Sequence, residues 1–206
     1  MVRITLTELG KRFNRRWIFK GINFSFEAGN AYAITGPNGS GKSTLLQVLA
    51  GSMLHSHGTV EYRLNDRPLP PEQHYTQVSM AAPYLELIEE LTLVEFLTFH
   101  QQFKPFVSQH SVESIIGFIG LQQAANRQLR VFSSGMKQRV KLAQAFFSRA
   151  PVLLLDEPTA NLDAEGIALY FSLVEQFSAH RIVVVGSNDA QETRFCQQQL
   201  HLPLYQ

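Results

Sequence analysis

A single cysteine, Cys196, leaves no internal disulfide to form and gives little to a metal site. That scarcity fits a reducing, cytoplasmic setting. An excess of charge is missing too: 18 Lys and Arg face 17 Asp and Glu, a formal net charge of +1. Proteins that coat nucleic acid need a basic surplus, so no nucleic-acid partner is expected. No apolar run approaches the roughly 18–20 residues that cross a bilayer; Val152-Leu153-Leu154-Leu155 is the densest. Residues Met1 to Gly10 alternate polar with apolar and include Glu8, unlike an export leader. Repeats, linkers and low-complexity tails are absent as well. What is there is a chain of 206 residues, 45% hydrophobic and 17% charged, enough to bury the core of one domain with a small inserted lobe.

Apolar alternation predicts strands early: Val2, Ile4, Leu6 and Leu9, then Ile22, Phe24 and Phe26. A turn at Ala28-Gly29-Asn30 leads to a short apolar strand, Ala31 to Thr35, and a helix from Lys42 to about Ala50 closed by Gly51. Gly58 to Leu64 reads as a further strand, and Pro68-Leu69-Pro70-Pro71 as a break in regular structure. From about 85 to 126 apolar residues recur at helical spacing, which predicts a helical lobe inserted in an α/β body. A helix over 134–148 follows, then strand 152–156, a helix over 164–178 and strand 181–186. A short helix and a terminal strand near 200–204 finish the chain. Strands and helices alternate around the insertion, the pattern of a mainly parallel, helix-covered sheet.

Gly36-Pro37-Asn38-Gly39-Ser40-Gly41-Lys42-Ser43-Thr44 stands between a predicted strand and a predicted helix and matches a phosphate loop. Glycines let backbone approach an anion without Cβ clashes, and the freed N–H groups with the helix start form a positive nest. Lys42 is placed to reach the β- and γ-phosphates, and Ser43 to hold Mg²⁺ through its hydroxyl. A second site follows the buried strand Val152 to Leu155, which ends in Asp156 and Glu157. Parallel strands deliver functional side chains at their carboxyl ends. Asp156 is the candidate second Mg²⁺ anchor, through water, and Glu157 the candidate base that polarises an attacking water.

With these residues in place, the chain resembles the nucleotide-binding subunit of an ABC transporter, within the P-loop NTPase superfamily. The resemblance covers nearly the whole sequence. Its most specific piece is Phe132-Ser133-Ser134-Gly135-Met136-Lys137-Gln138-Arg139, similar to the family signature LSGGQ followed by Gln-Arg, with Ser133 and Gly135 retained. The run Pro158 to Asp163 resembles the loop after the catalytic Glu, where Asp163 meets the opposite subunit. Phe13 falls where the family stacks an aromatic ring on adenine, with Trp17 a neighbouring candidate; packing of either ring in the core is the alternative.

The resemblance implies a fold, a cofactor set and partners. The fold is α/β: a P-loop NTPase core with a mainly parallel sheet, an N-terminal antiparallel β subdomain and an inserted helical lobe, in a single ABC-type domain over 1–206 with the lobe at about 85–126. Mg-ATP lies between one chain's phosphate loop and another's signature, so a homodimer or heterodimer of ATP-binding subunits is implied. Integral membrane permease subunits are the other partners, which puts the chain on the cytoplasmic face of a membrane. Phe96, Phe99, Phe103 and Phe106 in the lobe either line a docking groove or form its core. Short single-domain relatives include haem-export subunits, an analogy only.

Two departures bear on turnover. The Gln that the family carries at the entry to the lobe is replaced at about Ala81 or Ala82, and Gln77 lies too early. The switch His after the strand ending near Val185 is replaced by Asn188, which can donate a hydrogen bond to a γ-phosphate but cannot take up a proton near neutral pH. A regulatory subunit with weak or no hydrolysis, and a non-transport ABC ATPase, therefore stand beside a transport ATPase. The Gln197-Gln198-Gln199 run reads as a polar helix end.

Overall fold

A computed structural model describes residues 1–205 and divides the chain into two compact units. The first comprises Met1–Met80, Pro151–Glu157 and Ser178–Gln206; the second comprises Ala81–Ala150 and Pro158–Phe177.

In the first unit, β1 (Val2–Phe13) and β2 (Arg16–Glu27) form a long antiparallel hairpin, which β4 (His57–Leu64) and β5 (Arg67–Leu69) extend into a sheet of order β2-β1-β4-β5. Alternation buries Val2, Ile4 and Leu6, then fails: Leu9 and Gly10 are both buried, and the pairing register shifts between Leu6 and Leu9. Glu8, at φ 50°, is the irregular residue, and its N–H donates to Asn23 Oδ1 at 2.9 Å. Gly58 is required opposite it, because a Cβ there would lie 2.3 Å from the Glu8 carbonyl oxygen. The Pro68 segment is more regular than its prolines suggest. Pro68 belongs to the short edge strand β5, where a missing N–H is tolerated, and Pro71–Gln77 is a 3₁₀ segment.

The second sheet has the order β6-β7-β8-β3-β9, built from β3 (Ala31–Thr35), β6 (Val78–Ala81), β7 (Val152–Asp156), β8 (Ile182–Gly186) and β9 (Gln198–His201). The neighbours β7/β8, β8/β3 and β3/β9 all run parallel. Every residue of β7 and β8 is buried, as expected of strands covered on both faces. Helix α1 (Lys42–Leu49) packs on β7 and β8 through its Leu45, Leu46 and Leu49 face. One apolar core joins both sheets of this unit, including Ile4, Phe26, Tyr32, Ile34, Leu154 and Val184. Within it, the Tyr62 hydroxyl donates to the Leu49 carbonyl at 2.6 Å, and the Tyr62 ring stacks on His74 at 4.3 Å.

The C-terminal stretch corrects three expectations. The terminal strand is Gln198–His201, and Leu202–Tyr205 is a 3₁₀ turn, so the strand lies two residues earlier than expected. Residues 190–195 are turns instead of a helix, because Asp189 Oδ1 accepts from Gln191 N at 2.7 Å and tightens the chain locally. Gln198 and Gln199 of the glutamine run are strand, not a helix end, and just before them Gln197 N–H donates to the Ala31 carbonyl while its Oε1 accepts from Ala31 N, which zips the segment onto β3.

The second unit is helical: α2 (Leu93–Phe103), α3 (Val112–Phe118), α4 (Ser134–Phe147) and α5 (Ala164–Phe177). The helices expected in the inserted lobe thus share their unit with α4 and α5. Starts are set by side chains. Thr92 and Glu95 form a reciprocal capping box for α2, and Ser111 caps α3. The phenylalanine stripe divides: Phe96 and Phe106 are buried, whereas Phe99 and Phe103 are 42% and 71% exposed and pair edge to face at 5.0 Å. Among the described residues no helix is long and apolar enough to cross a membrane.

Candidate functional site

Strand order brings the site together. β8 lies between β3 and β7, and all three run the same way, so the loops after them leave at one edge of the sheet. Those loops carry residues 36–44, Glu157 and Asn188.

The phosphate loop starts at Gly36, the residue after β3, and closes onto α1. Gly41, the N-cap of α1, sits at φ 104° and ψ 13°, a conformation that favours glycine. No side chain caps α1 and no acid stands in its first turn. The N–H groups of its first residues have no intrahelical acceptor, so the helix start offers donors and a positive dipole to an anion. A cavity of about 230 Å³ opens here, lined by Ile18, Asn38, Gly39, Gly41, Lys42, Ser43, Thr44 and Glu157. A Cβ on Gly39 would meet nothing within 4 Å, whereas one on Gly36 would come within 2.7 Å of Ser40 Oγ. Ser40 is buried, which holds the inner side of the loop.

Lys42 is only 5% exposed, and its ammonium donates to the Gly36 carbonyl at 2.9 Å, the Pro37 carbonyl at 3.3 Å and Asn188 Oδ1 at 2.9 Å. Asn188 in turn donates from Nδ2 to Asn38 Oδ1 at 2.6 Å. The residue in place of the expected His is therefore in direct contact with the loop lysine. Asp156 is buried at the end of β7, and Glu157 is exposed beside it. Glu157 takes φ 42°, strained for a residue with a Cβ, and its N–H donates to the Gly186 carbonyl at 3.0 Å. Gly186 is kept small by its neighbours: a Cβ there would stand 2.9 Å from Leu46 and 3.2 Å from Asp156 Oδ1. A hydroxyl on Ser43 and a carboxylate on Asp156 are hard oxygen donors, a set that suits Mg²⁺.

The signature residues belong to the second unit. Ser133 is the exposed N-cap of α4, its hydroxyl accepting from Met136 N at 3.2 Å. Gly135 packs closely, since a Cβ there would lie 3.0 Å from the Asn161 carbonyl. The buried Gln138 donates to the Pro158 carbonyl at 2.8 Å, tying α4 to the loop that ends in Asp163. Asp163 is exposed and accepts from Gly166 N at 2.8 Å and from Arg139 at 3.1 Å. The Gly166 N–H and the Arg139 guanidinium hold its carboxyl below the usual range.

Phe13 stands at the tip of the β1–β2 hairpin, 47% exposed, with the Lys11 ammonium 4.7 Å from its ring centroid. Trp17 is half-buried between Arg12 and Lys20, at 5.6 and 5.2 Å, and closes over Gly10. The apolar side chain that lines the cavity is instead Ile18, which lies against Gly41. Sequence reading passed over Ile18 because strand alternation says nothing of which loop a side chain meets. Ala81 and Ala82 are buried and present no polar group, and Gln77 donates to its neighbour Thr76.

Comparison with known proteins bears on the family and the fold. The ABC transporter family model matches residues 19–160. The protein named "Putative hemin import ATP-binding protein HrtA" of Staphylococcus aureus (strain MRSA252) is 35% identical over 191 residues, which cover 85% of this chain and 83% of that protein. Among solved structures, a putative ABC transporter ATP-binding protein from Pyrococcus furiosus superposes with a TM-score of 0.82 at 20% identity, covering 98% of each chain. A bacterial Atm1-family ABC exporter with ATP bound gives 0.82 at 20% identity, over 97% of this chain and 37% of that one. These two likenesses bear on fold.

Proposed function

This chain belongs to the ABC transporter family as an ATP-binding subunit with ATPase activity coupled to transport, and on that premise we propose the roles of its residues. The triphosphate of ATP lies in the loop of residues 36–44, with the N–H groups around Gly39, Ser40, Gly41, Ser43 and Thr44 as donors and Lys42 as the point charge on its outer phosphates. Asn38 borders the same cavity. Phe13 offers its ring face to adenine. Ser43 and Asp156 hold Mg²⁺, which when bound neutralises phosphate charge. Glu157 accepts the proton of a water that attacks the γ-phosphorus as the bond to the bridging β-phosphate oxygen breaks, giving ADP and phosphate. Asn188 donates to the γ-phosphate.

The second wall of the site comes from Ser133 and Gly135 of another ATP-binding subunit, identical or related, and Asp163 meets that subunit. ATP then bridges the pair, and loss of the γ-phosphate loosens it. Permease subunits seat the pair at the cytoplasmic face of a membrane. The 35% identity to a hemin-import protein makes an iron porphyrin the first cargo to test.

The observation that carries this reading is the contact of Lys42 with Asn188 beside the cavity that Glu157 lines. Lys42→Ala is expected to abolish Mg-ATP binding by equilibrium titration. Glu157→Gln is expected to lower turnover by about 10²–10⁴-fold, the range for removing a general base, and to accumulate an ATP-dependent dimer in gel filtration. Unchanged affinity in the first variant, with turnover intact in the second, refutes the assignment.

A further inference from the structure

The near-neutral total charge conceals a segregation. Residues 11–20 hold Lys11, Arg12, Arg15, Arg16 and Lys20 and no acid, while the rest of the chain has 13 Lys and Arg against 17 Asp and Glu. The fold gathers these five cations at the free end of the β1–β2 hairpin, whose turn is Asn14-Arg15. Register puts Arg12 opposite Trp17 and Phe13 opposite Arg16, so cations leave both faces of the ribbon as well as the turn. Arg12 and Lys20 bracket the Trp17 ring, at 5.6 and 5.2 Å. Among the described residues none of the five is in an ion pair. Glu8, the acid nearest in sequence, accepts from Asn23 instead. Blunting an edge strand such as β2 takes a charge or two; a run of one sign sets the hairpin apart as a positive patch.

An aliphatic side chain stands beside these cations. Leu54 is 83% exposed, and its loop is laced to β1. The Leu54 carbonyl accepts from Lys11 Nζ at 2.7 Å, Ser56 N–H donates to the Gly10 carbonyl at 2.8 Å, and Ser56 Oγ accepts from Arg12 N at 3.2 Å. We propose that the hairpin tip and Leu54 form a docking surface for a bilayer of anionic phospholipid. The cations meet the headgroup phosphates, and Leu54 reaches the acyl boundary. A nucleic-acid backbone offers the same phosphates but has no acyl layer to take up a leucine. This surface goes beyond the nucleotide reading and does not rest on it. A chain seated at a membrane by a permease gains a second contact there, made by its own side chains.

The test is sedimentation of the full chain with vesicles of phosphatidylcholine, alone or with one-third phosphatidylglycerol, and thermal melting is the folding control. Binding is expected to the anionic vesicles only. It falls steeply between about 0.1 M and about 0.5 M NaCl, because the reach of the field, about 10 Å at the lower salt, shrinks by more than half. Arg15→Gln with Arg16→Gln weakens it by about 10–25-fold, at about fivefold for each cation near the surface. Arg127→Gln with Arg149→Gln, two exposed arginines of the second unit, makes the same change in net charge and shifts binding less than about twofold. Leu54→Ser weakens it about fivefold, through lost apolar burial. No binding to the anionic vesicles, equal binding to the neutral ones, or equal loss in the two arginine pairs overturns the hairpin surface. A Leu54→Ser chain that binds as the parent does, or a mixed-sequence RNA bound more tightly per phosphate than the vesicles, overturns the choice of lipid.

Discussion

Gly41→Ala tests how tightly the nucleotide cradle is built. Gly41 sits at φ 104°, where an L-residue costs about 1–2 kcal/mol. The added Cβ would lie 2.4 Å from Ile18 Cγ2 and 3.4 Å from Phe19 Cδ1. Phe19 is buried and cannot retreat, so either Ile18 rotates away or the loop backs off. Overpacking of this kind costs about 1–3 kcal/mol. The two effects together predict a loss of about 2–5 kcal/mol. At about 2–4 °C per kcal/mol for a chain of this size, the melting temperature falls by about 4–20 °C. Urea denaturation of the four members of a cycle built on Ile18→Ala and Gly41→Ala separates the terms: the clash disappears in the Ile18→Ala background, the φ strain does not. Gly41→Ala is thus expected to cost about 1–3 kcal/mol less beside Ile18→Ala than alone. If it costs the same in both backgrounds, and under about 1 kcal/mol, the packing argument for Ile18 against the loop is wrong.

The second unit should carry a pH signature through His100, whose ring stacks near Phe96 and Phe106 and whose Nε2 lies 2.9 Å from Ser148 Oγ. Burial first, and the Lys104 charge second, push its imidazole down to about 4. The unfolded chain takes up that proton near pH 6.5, so stability is full above about 6.5 and declines as pH falls to about 4, by up to about 3 kcal/mol. Urea titrations at pH 7.5 and pH 5 check this, and His100→Leu is expected to flatten the difference. In the first unit Tyr62→Phe keeps the ring on His74 but removes the donor to the Leu49 carbonyl. It should cost about 1–2 kcal/mol in the same assay, and a cost near zero would show that the hydroxyl contributes nothing net.

The local chemistry of this chain is written in its order of residues. The phosphate loop and the Asp156-Glu157 pair are contiguous, and each needs only a strand, a turn and a helix or strand end that periodicity and glycine placement announce. The helices of the second unit are legible from apolar spacing, and the structure adds their local caps, Thr92 with Glu95, Ser111 and Ser133. The C-terminal stretch is not legible in this way, because a polar run such as Gln197-Gln198-Gln199 has no intrinsic period, and pairing with β3 decides that Gln198 and Gln199 become strand. Periodicity likewise assigned four phenylalanines to one stripe, but only packing separates buried Phe96 and Phe106 from exposed Phe99 and Phe103. Parallel order decided the rest. Placing β8 between β3 and β7 carries Asn188 to Lys42 and Asn38, and the hairpin sheet lays Ile18 against Gly41. A sequence fixes which face a residue takes; which loop that face meets depends on strand neighbours far away along the chain, chosen by burial of the whole sheet.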